Sequence, residues 1–259
     1  MGLMCCSGGA SGGSIYRKEQ ARGRRGWAGY LLAHGLGDGL MRSLVVGASG
    51  GIGGALVSAL AARGEVVGVS RRDDGLDVTD EASVAGLLGG LEGPFDLVVV
   101  ATGALVLDGV GPEKSLKAVT AGAMAAQFAL NTIGPALVIK HGLRLVPRDR
   151  VAKLAVLSAR VGSIGDNALG GWYGYRAAKA ALNQILKTAS IEAARSHPQS
   201  VLVALHPGTV ETGLAPAHRA GHPAMAPFVA AANLLAVLDR LGPADSGGFF
   251  DWKGDVVPW

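Results

Sequence analysis

The sequence predicts a single three-layer α/β domain, a doubly wound parallel sheet with helices on both faces, and three features carry that expectation. Short apolar runs at Leu44–Val46, Val66–Val69, Phe95–Val100 and Val151–Leu157 read as buried strands. Segments of helix-forming composition alternate with them, which favours parallel strands joined by helical crossovers. Glycines stand where strand gives way to helix. At 259 residues, 49% hydrophobic and 17% charged, the chain can bury one large core without dividing.

Residues 1–40 read as an N-terminal extension, expected to be disordered, before a domain over 41–259. They alternate Gly/Ser clusters with a basic run and show no helix or strand period. Arg17, Lys18, Arg22, Arg24 and Arg25 face only Glu19 and Asp38 there, so three of the chain's four net positive charges lie in this extension. A basic groove for nucleic acid is therefore not expected. No secretory signal is visible; the arginine content is compatible with an organelle transit peptide, while a cytoplasmic protein is the simpler expectation. The two cysteines, Cys5 and Cys6, give neither a disulfide framework nor a metal-ligand spacing, and the six histidines form no metal motif, so no metal is expected.

The first strand leads directly into Gly47-Ala48-Ser49-Gly50-Gly51-Ile52-Gly53, and Ala55–Arg63 then reads as a helix stopped at Gly64. Strand, glycine turn and helix together suit a dinucleotide. The backbone must turn sharply and approach the pyrophosphate closely, and the helix N-terminus offers free N–H groups to its charge. Taken alone, the pattern is also what a plain structural turn would show in so glycine-rich a chain. The second strand adds context by ending in Ser70-Arg71-Arg72, where an NAD enzyme usually carries an acid. Two guanidinium groups suit a 2′-phosphate, which favours NADP(H) over NAD(H), while Asp73 and Asp74 keep NAD(H) open. Asp77 and Val78, read as the next strand and as cofactor neighbours, follow Ser70 too closely for a helical crossover, so one helix of the usual layout is expected to be missing.

Ala118–Ile139 is a run of 22 residues without a charge, long enough to span a bilayer. Gln127, Asn131, Gly134 and Pro135 interrupt it, and it is rich in alanine, so a buried helix is expected and no membrane partner.

The chemistry centres on Tyr175-Arg-Ala-Ala-Lys179, inside a helix predicted over Tyr173–Arg195. Residues four apart share a helix face. An ammonium group beside a phenol, aided by a positively charged nicotinamide, favours the phenolate, so Tyr175 is expected to have a lowered pKa and to serve as an acid/base. Taken alone the pair reads as surface decoration; the glycine turn earlier in the chain gives it weight.

Over nearly all of Met41–Trp259 the chain resembles the short-chain dehydrogenase/reductase family, a branch of the Rossmann-fold enzymes. Gly47–Gly53 matches the family's glycine motif, with Val46 where Thr is usual. Ala101-Thr102-Gly103 stands for its Asn-Ala-Gly, Asn131 for its helix asparagine, Tyr175 and Lys179 for its catalytic pair, and His206-Pro207-Gly208-Thr209-Val210 for its nicotinamide-side Pro-Gly motif. Ser158–Asn167, Gly170–Asn183 and the Phe-Phe-Asp-Trp and Pro-Trp elements near the C-terminus are similar to the C-factor-like reductases. The resemblance implies an NADP-dependent carbonyl reductase in which Tyr175 protonates the carbonyl oxygen while the cofactor delivers hydride. Lys179 would lower the tyrosine's pKa and bind the ribose, with Asn131 holding a water beside it.

One departure matters. The family's substrate-polarising serine is replaced by Ala159, leaving Ser158, slightly favoured, or Ser163 to take the role. The rival class is a dinucleotide-binding regulatory protein without turnover, since fold alone does not set function. Glu211–Pro227 is the expected lid over a small-molecule carbonyl or alcohol substrate, and Trp172 either walls the pocket or belongs to the core. Ala118–Ile139 and Tyr175–Ile191 are the expected faces of a homodimer or homotetramer.

Overall fold

The computed structural model describes residues 41–212 and 224–259. The expectations for residues 1–40 and for most of the lid lie outside the described residues. Six strands form one parallel sheet in the order β2-β1-β3-β4-β5-β6: β1 Met41–Val46, β2 Gly64–Val69, β3 Leu97–Val100, β4 Ala152–Leu157, β5 Ser200–His206 and β6 Phe249–Asp251. The central strands are apolar on both faces because helices cover both sides, as in all-parallel sheets generally. Val98, Val100, Leu154 and Val156 pack into one core layer. Their neighbours Leu97, Val99, Ala155 and Leu157 pack into the other.

Helix α1 (Gly51–Leu60) follows β1, and α2 (Glu81–Gly89) makes the crossover from β2 to β3. Helices α3 (Ala121–Phe128) and α4 (Gly134–Gly142) lie between β3 and β4, α5 (Tyr173–Ser196) between β4 and β5, and α6 (Pro227–Arg240) between β5 and β6. The sheet's strand order reverses at β1 and β3, and the ends of β1, β3, β4 and β5 converge there; ligands of open α/β sheets bind at such switch points.

The segment after β2 corrects the expectation drawn from Asp77 and Val78. Arg71–Asp74 form one helical turn, ended by Gly75 in the left-handed region at φ 71°. No strand follows. Asp77 Oδ1 instead accepts the N–H and hydroxyl of Thr79 at 2.9 and 2.7 Å, which closes a tight turn, and Asp80 caps α2. Val78 is buried against Gly134, where a Cβ would stand 2.9 Å from its Cγ2. What is absent is a strand together with its helix, and α2 carries the single remaining crossover.

The uncharged run is also more broken than expected. Between α3 and α4 the residues Ala129–Ile133 form a π-helical segment. The stretch Ala121–Leu145 is long and apolar enough to cross a membrane by length and composition, with 39% of its most apolar window buried inside the protein. Its polar members are committed within the fold, as the site shows.

Candidate active site

The glycine turn is built as phosphate-binding turns require. Gly47 has φ 94°, and a Cβ there would meet the Ala101 carbonyl at 2.9 Å. A Cβ on Gly53 would overlap the Gly47 carbonyl oxygen outright, so α1 can start only if position 53 is glycine. Gly50, the N-cap of α1, brings no side chain to cap the helix. The first turn therefore presents backbone at the switch point, the arrangement that receives an anion. Sequence reasoning missed Thr212, whose methyl group lies where a Cβ on Gly51 would come within 2.7 Å, at the start of the expected lid.

At the end of β2, Ser70 is 2% exposed and Arg71 and Arg72 are exposed. The two acids beside them, themselves exposed, both bond to Ser70. Asp74 Oδ2 accepts the Ser70 N–H at 2.8 Å and Asp73 Oδ2 accepts the Ser70 hydroxyl at 2.9 Å. The Arg72 hydrogen bond and then the Ser70 hydrogen bond hold the Asp73 carboxyl below its ordinary range.

Past β3, Ala101-Thr102-Gly103 passes beside Asn131 and Lys179. The Thr102 hydroxyl is buried without a hydrogen-bond partner among the described residues. Gly103 has φ 136°, and a Cβ there would stand 2.7 Å from Asn131 Oδ1 and 3.3 Å from Lys179 Nζ, which brings those two side chains to one spot. Asn131 is fully buried on the π segment. Its Oδ1 accepts the Ala104 N–H at 3.1 Å, and its Nδ2 donates to Ala104 O at 2.9 Å and to Gln127 Oε1 at 2.7 Å. Gln127, which sequence reasoning used only as an interruption, continues the chain by donating to Leu105 O at 2.9 Å. A π segment at a functional site is a recurring device for re-aiming a side chain.

Tyr175 and Lys179 occupy successive turns of α5, with Lys179 Nζ 5.9 Å from the tyrosine ring centre. Lys179 is 3% exposed and donates to Leu157 O at 3.0 Å. Burial pushes its pKa down to about 8 and pushes the Tyr175 phenol up to about 12. The expected lowering of the phenol is thus reversed in the protein alone, because desolvation outweighs an ammonium that sits beside the ring and bonds elsewhere. Trp172 meets Tyr175 edge to face, with ring centres 6.5 Å apart. It stands at the helix entrance, half-buried.

The serines separate clearly. Ser158 donates its hydroxyl to Asn183 Oδ1 at 2.6 Å, deep beside α5. Ser163 ends the 3-10 turn that starts after Ala159, and its oxygen accepts the Asp166 N–H at 3.1 Å. Its own hydrogen stays available to a further acceptor. Gly162 presses this turn onto α5, since a Cβ there would stand 2.7 Å from Lys179 Cβ. After β5, Gly208 takes φ 79° against Trp252 and Met225, and Thr209 and Val210 pair with Met225.

Comparison with known proteins bears on this geometry. No family model matches the chain. A dehydrogenase of Rhodococcus sp. strain AD45, named for 1-hydroxy-2-glutathionyl-2-methyl-3-butene, is 32% identical over 232 residues, covering 83% of this chain and 98% of its own. The chain belongs to the short-chain dehydrogenase/reductase family. The C-signal protein of Myxococcus xanthus is 36% identical over 138 residues, 52% of this chain and 78% of its own. A Burkholderia multivorans structure described as a short-chain dehydrogenase/reductase with bound NADP superposes with a TM-score of 0.73 at 27% identity, covering 85% of this chain and all of the other.

Proposed function

We propose that residues 41–259 form an NADP(H)-dependent carbonyl reductase of the C-factor-like subgroup, acting in the cytoplasm on a small-molecule aldehyde, ketone or quinone, or on the matching alcohol. The observation that carries this reading is the meeting of Lys179 and Asn131 at Gly103, with the Tyr175 ring 5.9 Å from Lys179 Nζ, at the same end of the strands as the glycine turn. A nucleotide would lie with its pyrophosphate on Gly47, Ser49, Gly50, Gly51, Ile52 and Gly53. Ser70, Arg71 and Arg72 would hold the 2′-phosphate end, with Asp77 and Val78 beside the adenine. The relative structure with bound NADP supports NADP(H), as do the bonds of Asp73 and Asp74 to Ser70 and the exposure of Arg71 and Arg72, although Arg72 Nε also donates to Asp73 Oδ1 at 3.2 Å. Ala101, Thr102 and Gly103 would flank the ribose, and Pro207, Gly208, Thr209 and Val210 the nicotinamide, which supplies the hydride.

Tyr175 gives the proton. The phenol keeps its proton at physiological pH and can donate it as negative charge develops on the carbonyl oxygen. Lys179 then stabilises the phenolate left behind and reaches the ribose hydroxyls, while Asn131 keeps the backbone of Ala104 in place under it. Ser163 is the better candidate to polarise the substrate, because Ser158 spends its hydrogen on Asn183. Dimers or tetramers would form through α3 to α5, where Ile133 and Ile191 are 49% and 56% exposed; a monomer by light scattering at micromolar concentration would count against that assembly.

A second reading, a cofactor-responsive binder without turnover, is favoured by one observation, the methyl group of Ala159 at the usual serine position. NADPH and NADH titrations followed by an NADPH-oxidation screen over aldehydes, ketones and quinones separate the two. Tighter NADPH binding with turnover that disappears in Tyr175→Phe is the expected result. Tight binding without turnover on any class selects the binder.

A further inference from the structure

The catalytic helix begins with an awkward turn. Gly170, Gly171 and Trp172 take left-handed φ values of 64°, 66° and 55° in succession, a conformation that a tryptophan adopts only when its surroundings impose it. Trp172 is the N-cap of α5 and supplies no side-chain cap, so the first N–H groups need an acceptor from elsewhere. Glu113, on the loop before α3, supplies one twice. Its backbone carbonyl accepts the Trp172 N–H at 2.5 Å, and its Oε2 accepts the Gly174 N–H at 3.1 Å.

Glu113 is 7% exposed, and a Cβ on Gly174 would stand 2.9 Å from Oε1, so the glycine lets the acid lie close against the helix. On the opposite side Arg176 ties the same turn down, donating to Gly171 O at 3.0 Å and Val161 O at 3.2 Å. Tyr175 lies between these two grips in the chain.

We infer that Glu113 is a positioning residue for Tyr175: its carboxylate fixes the first turn of α5 and thereby aims the phenol. The inference rests on Tyr175 being the proton donor proposed above. It has an electrostatic side as well. Lys179 on the same helix is the charge nearest the phenol; the other charged groups on the elements that meet this helix end are Arg176, turned onto two carbonyls, and Glu113 from the loop, while Arg160 and Asp166 on the loop after β4 pair with each other. A negative charge at this helix end would disfavour the phenolate, and Glu113→Gln tests whether it reaches the phenol.

Glu113→Gln keeps an oxygen acceptor and loses the charge; Glu113→Ala loses both. Two measurements decide, the pH profile of kcat at saturating NADPH with a carbonyl from the screen, and amide hydrogen exchange of residues 173–178 in the protein without ligand. Glu113→Gln is expected to move the basic limb of kcat down by about half a unit, because reduction needs the neutral phenol. Glu113→Ala is expected to lower kcat about tenfold or more, with KM for NADPH within about twofold, and to speed exchange at Gly174. A merely structural role would lower the melting temperature and leave the pH limb where it is. Unchanged kcat and unchanged limb in both variants would overturn the inference. If Glu113→Ala fails to fold, the limb of Glu113→Gln decides alone. If the wild-type protein turns over no carbonyl, the catalytic reading fails by itself, and unaltered exchange at Gly174 in Glu113→Gln and Glu113→Ala would then overturn the grip as well.

Discussion

Helices α1 and α5 both begin at an N-cap that gives no side-chain hydrogen bond, and the two ends are completed in opposite ways. At α1 the residues around the first turn are glycines whose missing Cβ atoms keep the approach clear. At α5 a buried carboxylate from 61 positions earlier lies against the helix and takes an N–H for itself. The first end keeps its positive dipole for a ligand's charge, and the second spends it on the fold. A helix end left open makes a binding site, and one closed from within makes a rigid mount for the side chain on its first turn.

The largest expected effect tests whether the two ends are separate in function. Tyr175→Phe should cost about 10²–10⁴-fold in kcat, the usual worth of a general acid, while NADPH binding at the α1 end stays within about twofold. Loss of binding together with turnover would break the comparison.

Next comes the charge carried behind the closed end. Lys179 has a pKa of about 8 in the folded protein, below its ordinary 10.5, so the unfolded chain binds the extra proton between those values. Stability therefore rises with pH across that window, and the burial penalty is fully present below pH 8, on the order of 3 kcal/mol. Tyr175 acts in the opposite sense above pH 10, because its raised pKa makes the unfolded state the first to ionise. Denaturant unfolding of wild type and Lys179→Met at pH 7.5 and pH 10 should show the wild type gaining on the variant. Parallel curves would place the ammonium in solvent.

A smaller effect is expected at the open end. Gly53→Ala drives a methyl into the Gly47 carbonyl, and the strain should destabilise the protein by about 1–3 kcal/mol. It should also weaken NADPH binding by about tenfold or more, since the turn must shift. A stable variant that binds NADPH normally would show that the turn has slack.

These two ends also differ in how far they could be read beforehand. The open end is local: Gly47 to Gly53 and the helix that follows are contiguous, so composition and spacing disclose it, as they do the β-branched strands around it. Tyr175 and Lys179 are legible for the same reason, four residues apart on one helix. The grip of Glu113 on Gly174 and the bond of Ser158 to Asn183 join residues far apart in the chain, and no periodicity announces them. Depth is equally hidden. Spacing placed an ammonium beside Tyr175, but its effect depends on where Lys179 Nζ bonds and how dry the phenol is, and burial won. The turn at Asp77 is not legible in the sequence because Val78 is as apolar as a strand residue, although it packs under Gly134 from a loop.

The smallest expected effect concerns which nucleotide the open end prefers. Arg71 and Arg72 are exposed, and Asp73 and Asp74 point back at Ser70, so the carboxylates that would suit an unphosphorylated ribose are already engaged. Arg71→Ala with Arg72→Ala should weaken NADPH binding by about tenfold, or about 1.4 kcal/mol, and leave NADH unchanged. Asp73→Ala should leave NADH affinity unchanged and, by freeing Arg72 from its 3.2 Å bond to Asp73, should not weaken NADPH. If Asp73→Ala instead weakened NADH alone, the pair bonded to Ser70 would have to swing out on binding. The open end would then remodel itself around its ligand, unlike the fixed mount at α5.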